Sequence, residues 1–232
     1  PQRLYQALES VVGTSKLGDG ADSVLAVRNL GRGRTLIQVD GARVTAERRA
    51  GPSATFVDPA SLSSVEVARG PGSVVYGSDA FGGVVNAVTR DPELDRFALN
   101  YGVEGSFDAS DEISGFLSAS LPVGTGAVLV EGQYRDAGDF QAGGGDEIFN
   151  SGYTSFGGAL RYLLPLSAGR LRLGLSIDRV EDLGKAAIDS RQIRAYYPNE
   201  DSDRLTASWI GSAGAWDTLD GTAFYGTYDV VL

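Results

Sequence analysis

After residue 92, segment after segment of the chain alternates between apolar and polar positions. The clearest case is 171–178, LRLGLSID, where Leu or Ile occupies every odd position and Arg, Gly, Ser or Asp every even one. A period of two is typical of β-strands with one apolar face. The pattern predicts seven consecutive strands, most about ten residues long, close to the length of a membrane-spanning strand. They lie within 97–104, 113–121, 128–135, 156–162, 171–178, 205–209 and 218–232.

The linkers between these strands differ in length. The linkers at one end of the predicted strands, near 122–126, 165–169 and 214–217, are short. The linkers at the opposite end, near 106–111, 136–152 and 180–203, become progressively longer. Short turns on one side and longer loops on the other are typical of outer-membrane barrels. A soluble β-sandwich also alternates, so the period alone leaves both architectures open. Charges on the polar face and aromatic residues toward strand ends favour the barrel.

The first 92 residues mix helical and strand signals. The pattern predicts a helix over 1–12, and strands over 24–28 and 35–39, the second followed by a turn at Asp40-Gly41. Asp58-Pro59 is a cap and first-turn pair for a short helix. Another strand is predicted over 64–69, followed by a glycine-punctuated turn and helix in 70–85 and a strand to about residue 88. These elements predict an α+β domain over 1–92 ahead of the strands of 93–232.

The amino-acid composition excludes several kinds of catalytic and metal-binding site. The 232 residues contain no Cys and no His, which excludes disulfides, thiol catalysis, Ser-His-Asp triads and Cys- or His-ligated metal sites within them. The net charge of −10 disfavours binding to nucleic acid. No apolar run approaches the length of a transmembrane helix. We expect no catalytic residues, since an enzyme would need Ser/Lys or carboxylate pairs, and Lys16 and Lys185 lie in no recognisable motif.

Two glycine-rich motifs are the most specific feature of the chain. Residues 26–44 read AVRNLGRGRTLIQVDGARV, and residues 65–90 read VEVARGPGSVVYGSDAFGGVVNAVTR. Together they resemble the plug domain of TonB-dependent outer-membrane receptors, over nearly all of residues 1–91. Asn29 departs from the family, which usually has Gly there. The resemblance implies an α+β plug domain in 1–92, then antiparallel transmembrane β-barrel strands in 93–232. It places the protein in the cell outer membrane, with the plug inside the barrel and facing the periplasm.

The resemblance also suggests roles for individual arginines. In the family, arginines at the positions of Arg28 and Arg69 pair with barrel glutamates and hold the plug in the barrel. The expected partners lie on strands beyond the seven seen here. Arg32, Arg34, Arg48 and Arg49 fall in loops that the family directs toward the outside, where they would form a positive patch for an anionic ligand. The alternative for both sets is ordinary solvated charge.

The implied function is import of a scarce, large solute by energy-coupled rearrangement of the plug. An iron chelate, either a ferric siderophore or haem, is the leading class, and cobalamin or another nutrient is the alternative. The segments FVDPASLSSVEVARGP and YGSDAFGGVVN resemble haem-receptor and cobalamin-receptor plugs respectively, so the two hints conflict. A signalling or adhesion receptor that carries a plug is a further alternative. The expected partners are TonB, outer-membrane lipid and the solute, with no resident cofactor.

The strand count also indicates how much of a barrel this chain contains. A plugged transporter barrel has about 22 strands, so seven strands make roughly a third of one. We therefore expect the chain to be a piece of a longer protein, and the segment that contacts TonB to lie upstream of it. Carboxylates in 136–147 could in principle bind calcium. Their spacing does not match an EF-hand loop, so we expect a plain outer loop there.

Overall fold

The computed structural model describes residues 4–8, 10–18, 23–31, 33–44, 56–106, 111–142, 144–184, 196–214 and 216–230. They form an N-terminal α+β unit over 4–89, which we call the plug unit, and a seven-stranded antiparallel sheet over 98–230, which we call the wall. Residues 90–97 form the linker between them. The predicted order of elements, a mixed α+β region followed by seven strands, is confirmed.

The plug unit contains two small sheets. One pairs β1 with β2, and the other has the strand order β4-β3-β6-β5, in which β3 and β6 run parallel and the other pairs antiparallel. Its elements are α1 (Leu4–Ala7), β1 (Thr14–Leu17), β2 (Val24–Val27), β3 (Thr35–Val39), β4 (Ala42–Arg43), a 3-10 helix (Pro59–Ser61), β5 (Leu62–Arg69), α2 (Ser73–Tyr76) and β6 (Gly83–Thr89).

Local chemistry explains several of these elements. Asp40 and Gly41 adopt φ angles of 52° and 77°, so the predicted turn between β3 and β4 uses the left-handed conformations that a tight hairpin requires. Asp58 caps the 3-10 helix by accepting a hydrogen bond of 2.7 Å from Ala60 N, as its sequence position predicted. The predicted helix over 1–12 was too long, because α1 ends at Ala7 and Thr14 Oγ1 binds the Leu8 carbonyl at 2.6 Å instead.

The wall is an antiparallel meander in the order β7-β8-β9-β12-β13-β14-β15, and β10 and β11 form a separate hairpin between β9 and β12. Its strands are β7 (Ala98–Ser106), β8 (Glu112–Val123), β9 (Gly126–Ala137), β10 (Phe140–Gln141), β11 (Glu147–Ile148), β12 (Tyr153–Leu166), β13 (Gly169–Gly184), β14 (Tyr196–Ala213) and β15 (Trp216–Val230).

Six of the seven wall strands are longer than predicted, and β15 has the predicted length. The wall strands run from 9 to 18 residues, and β13 and β14 extend through most of the predicted linker 180–203. Backbone pairing continues there beyond the last alternating apolar positions, so hydrophobicity alone placed the strand ends too early. The connections at 124–125, 167–168 and 214–215 define the turn end of the wall. The longer connections at 107–111, 138–152 and 185–195 define its loop end.

The two faces of the wall have opposite character. The outward face is apolar and exposed: Tyr101 is 75% and Val103 80% exposed. The inward face is polar and buried, with Glu131 at 7%, Arg161 at 6% and Asp178 at 5%. A soluble sandwich would bury its apolar face, so the observed orientation favours the barrel over the sandwich. Within the described residues, no helix combines the length and hydropathy needed to cross a bilayer.

The main apolar core lies between the plug unit and the loop-end part of the wall. Val27, Ile37 and Val85 from the plug sheets join Val180 and Leu183 of β13 in one buried cluster. The plug sheets themselves pack closely through glycine. A Cβ on Gly83 would lie 2.4 Å from the Ala68 carbonyl oxygen of β5 and 2.9 Å from Val27 Cγ1 of β2, in the other sheet, so no larger residue fits at this point. The apolar cluster packs the plug unit against β13 of the wall.

Candidate functional site: the charged interface between plug unit and wall

Buried acid–base pairs connect neighbouring wall strands across the inward face. In each ion pair, the partner lies two positions along from the residue directly opposite, a diagonal that long side chains can span. Because a buried charge is costly without a partner, this pairing lets the inward face stay polar beneath the plug unit. The pairs are Glu112–Arg135, Glu131–Arg161 and Asp178–Arg204, the last at 3.1 Å, and Tyr228 adds a hydrogen bond to Glu200.

One hydrogen bond crosses over an entire strand. Gln133 Nε2 on β9 donates to Asp178 Oδ1 on β13 at 3.1 Å, and Gly157 of the intervening β12 lies directly opposite both residues. A Cβ on Gly157 would lie 2.5 Å from Asp178 Oδ1 and 2.8 Å from Gln133 Nε2. Glycine is therefore required at this position for the bond to form.

Arg172 near the turn end of β13 contacts three residues outside the wall. Its Nη1 lies 2.9 Å from Asp40 Oδ1, its Nη2 donates to Thr89 Oγ1 at 2.6 Å, and its Nε lies 2.6 Å from Asp91 Oδ1. Asp40 also accepts hydrogen bonds from Thr89 N and Thr89 Oγ1, at 2.8 and 2.7 Å. One wall arginine thus holds the β3–β4 turn, the end of β6 and the linker. We call this contact the turn-end latch.

Arg135 near the loop end of β9 makes the second ionic contact with the plug unit. Its Nη2 lies 3.2 Å from Asp58 Oδ2, and its Nη1 binds Glu112 of the neighbouring strand. The Arg135 and Glu112 side chains are buried, at 6% and 4% exposed, and Asp58 is 11% exposed. Asp58 is also the cap of the 3-10 helix, so one carboxylate serves both contacts. We call the Arg135–Asp58 contact the loop-end latch.

An aromatic contact adds to these two latches. Phe56 of the plug unit is 4% exposed, and its ring centroid lies 6.1 Å from that of Tyr228 on β15. The Arg204 guanidinium lies over the Phe56 ring, 5.0 Å from its centroid, within the range of a cation–π interaction. Residues 56–58 therefore contact both β9 and the β14–β15 pair.

A cavity of about 460 Å³ adjoins the loop-end latch. Asp58 and Arg135 line it together with Gly102, Ser114 and Phe116 of β7 and β8. Phe116 is a large apolar residue at a position of β8 whose neighbours on the same face, Ser114 and Ser118, are polar. Its ring lies against Gly102, where a Cβ would be 2.5 Å from the ring. The volume falls within the ~300–1,000 Å³ of ordinary small-molecule sites.

The arginines singled out in the sequence lie elsewhere. Arg28 is exposed with a φ of 55°, and Arg69 is exposed and donates to the Val12 carbonyl at 2.9 Å. Neither forms an ion pair with another described residue, and their assignment as plug–barrel locks stays a prediction. Arg34 is exposed as well. Arg32, Arg48 and Arg49 lie outside the described residues, so the predicted ligand patch stays untested.

Sequence reasoning missed the residues that form the latches. It expected plug arginines to meet barrel glutamates, whereas the described contacts join wall arginines to plug carboxylates. Arg135 and Arg172 were visible only as charges on an alternating strand, and Asp40 and Asp58 only as turn and cap residues. No sequence signal indicated that these pairs would meet.

In the acidic segment 136–147, the Asp139 carboxylate stabilises the local loop conformation. Asp139 Oδ1 accepts hydrogen bonds from Ser151 N at 2.7 Å and Gly152 N at 2.8 Å, which close the loop that carries the β10–β11 hairpin. Among the residues that the structure describes, no cluster of three or more potential His, Cys, Asp or Glu ligands could hold a metal ion.

Comparisons with known proteins agree with this architecture. The TonB-dependent Receptor Plug Domain family model matches residues 1–84. An iron-regulated outer membrane virulence protein of Vibrio cholerae is 32% identical over 239 residues, which cover 96% of this chain and 36% of that protein. The vitamin B12 transporter BtuB of Vibrio vulnificus is 33% identical over 37% of this chain and 14% of its own length.

The fold is also that of solved receptors. The FrpB iron transporter from Neisseria meningitidis superposes with a TM-score of 0.80 at 19% identity, over 97% of this chain and 38% of that one. At this identity the likeness concerns the fold alone. The present chain thus spans little more than a third of the length of these proteins.

Proposed function

This chain belongs to the TonB-dependent receptor family, and from that premise we propose that its receptor imports a scarce, large solute, most simply an iron chelate such as a ferric siderophore or haem. The protein is located in the outer membrane. In the proposed division, residues 1–92 are the plug domain, facing the periplasm, and 93–232 are the first part of the barrel.

One observation carries the transport proposal: an α+β unit is held by an apolar cluster and by ion pairs against the inward face of a sheet whose other face is apolar. Two of these contacts, Arg135–Asp58 and Arg172–Asp40, join side chains of the two units without any covalent bond. Ion pairs of this kind can open and close again, which a gate requires. The proposal needs no covalent chemistry and no catalytic residue.

An iron chelate is favoured over cobalamin by the extent of the similarity. The iron-regulated relative aligns with 96% of the chain, including the wall, whereas the vitamin B12 transporters of two Vibrio vulnificus strains align with 37% and 60%. Cobalamin remains the second candidate because those alignments are of similar identity. The proposed partners are TonB, which would supply the force, and outer-membrane lipid along the apolar face. Arg28 and Arg69 are proposed to lock the plug to the rest of the barrel.

Uptake in cells tests the proposal. The complete receptor should be expressed in an outer-membrane mutant that lacks its own siderophore, haem and vitamin B12 receptors. We expect ⁵⁵Fe accumulation from at least one ferric siderophore or haem, and its loss when TonB is deleted. Accumulation of labelled cobalamin without iron uptake would reverse the solute assignment. Uptake that persists without TonB would contradict the mechanism.

A further inference from the structure

A second, much smaller cavity lies between the plug unit and the middle strands of the wall. Its volume is about 20 Å³, enough for one water molecule and too small for an organic ligand. The end of β3, the β3–β4 turn and the end of β6 form its plug side, and β12, β13 and β14 form its wall side. The polar side chains that line it are those of Asp40, Thr89, Arg161, Ser176, Arg204 and Thr206.

The wall side of this cavity has hydrogen-bond donors without acceptors. Arg204 Nε donates to Ser176 Oγ at 3.2 Å and Arg204 Nη2 to Asp178 Oδ2 at 3.1 Å. Its Nη1 is buried and has no partner among the described residues. The Arg161 side chain bonds only to Glu131, through Nη1, as far as the described part of the chain shows. A guanidinium has five N–H groups, and a buried donor without a partner is unfavourable, so these groups need an oxygen atom.

The plug side of the cavity offers an acceptor. Asp40 Oδ2 accepts one hydrogen bond, from Thr89 Oγ1 at 2.7 Å, although each oxygen of a carboxylate can accept two. Within the described ranges, no hydrogen bond or ion pair joins Asp40 directly to Arg161 or Arg204. The free acceptor of the plug unit and the free donors of the wall therefore line one cavity without bonding to each other.

The charges around the cavity favour a neutral occupant. Arg161 and Arg204 would repel a cation, and Asp40 would repel an anion. A water molecule accepts and donates hydrogen bonds, so it can satisfy an arginine and a carboxylate at the same time. Thr206 Oγ1 provides a further acceptor, because its only hydrogen bond to a described residue is the long one of 3.5 Å that it donates to the Gly174 carbonyl.

From this arrangement we propose that the cavity binds one ordered water molecule, which accepts a hydrogen bond from Arg204 Nη1 and donates to Asp40 Oδ2 and Thr206 Oγ1. The ion pair of Asp40 with the wall is made to Arg172 of β13, so the water adds β14 to the strands that hold the β3–β4 turn. The guanidinium of Arg204 also lies over the Phe56 ring. One arginine and one water molecule thus connect the turn-end latch to the Phe56 contact. The site does not depend on which solute is transported.

A crystal structure of the complete receptor, at a resolution that shows ordered water, tests this site. Thr206→Val replaces the hydroxyl in the cavity by a methyl group of similar size, and Thr206→Ser keeps the hydroxyl. Thr222→Val is the matched control, because Thr222 is an exposed threonine of the wall that does not line the cavity. The equilibrium constant of unfolding in urea is measured for the same four proteins in lipid vesicles.

We expect a density peak within hydrogen-bond distance of Arg204 Nη1 and Asp40 Oδ2 in the wild type, Thr206→Ser and Thr222→Val, and its loss in Thr206→Val. Loss of the water should raise the unfolding constant of Thr206→Val roughly fivefold, the effect of one hydrogen bond, and Thr222→Val should leave it nearly unchanged. A wild-type structure without the peak, or with a peak that contacts only one unit, would overturn the proposal. So would a Thr206→Val receptor that is more stable than the wild type, because a methyl group stabilises a dry cavity. If Thr206→Val does not fold, the wild-type density decides alone.

Discussion

The plug unit and the wall bury opposite kinds of side chain. In the plug unit, Val27, Ile37 and Val85 are at most 1% exposed, as in any water-soluble domain. In the wall, Glu131 and Arg161 are buried while Leu173 is 40% exposed. The two regions bury different side chains because their surroundings differ. The plug unit contacts water and protein, whereas the outer face of the wall is suited to contact with lipid. The four predictions below test this contrast, and all apply to the complete receptor.

Breaking a buried wall ion pair should have the largest effect. Arg161→Ala leaves the Glu131 carboxylate buried without its counter-charge, and we expect a loss of about 3–5 kcal/mol in the free energy of unfolding. Urea unfolding in lipid vesicles, followed by tryptophan fluorescence, measures it. The double variant Glu131→Leu, Arg161→Met should recover most of the loss. A double variant as unstable as Arg161→Ala would show that the site requires charge for another reason.

Placing a charge on the outer face should have the next largest effect. Leu173→Arg puts a guanidinium in the middle of the apolar band, at an expected cost of about 2–4 kcal/mol. The control Leu173→Phe keeps the position apolar and should be nearly neutral. Both are measured by the same urea unfolding. If Leu173→Arg were as stable as the control, the exposed apolar face would not be in contact with lipid.

A methyl group at Gly157 tests the hydrogen bond that crosses β12. Gly157→Ala should separate Gln133 from Asp178 and cost about 1–3 kcal/mol, the price of leaving a buried polar group unsatisfied. Gly132→Ala is the matched control, because the nearest atom to its Cβ is 4.0 Å away on the outer face. Equal unfolding midpoints for the two variants would mean that the strands shift to accommodate the methyl group.

Removal of one methyl group from an isoleucine should have the smallest effect on stability, and it can be compared between the two regions. Ile37→Val in the plug core leaves a small cavity and should cost about 0.5–1.5 kcal/mol. Ile177→Val on the outer face, where Ile177 is 45% exposed, should cost less, because lipid chains can fill the space. Differential thermal unfolding of the two variants measures the difference. A larger loss at Ile177 would indicate tight packing on that face.

Much of the fold could be predicted from the chain. The Asp40-Gly41 turn and the Asp58-Pro59 cap depend on neighbouring residues alone, and both occur where they were expected. The seven wall strands were visible as a period of two. Their ends were not, because β13 and β14 continue to pair through polar positions that carry no hydrophobic signal. The hairpin of β10 and β11 is too short to show such a period.

The sequence by itself determined the two classes of region, the order of their elements and the resemblance to a receptor family, because these depend on local periodicity and contiguous motifs. Only the tertiary structure decided which charges meet. Asp40 and Arg172 are far apart in the chain, as are Asp58 and Arg135, yet each pair is in contact. Such pairing depends on strand register and on how the plug unit packs against the wall, and both are properties of the folded chain as a whole.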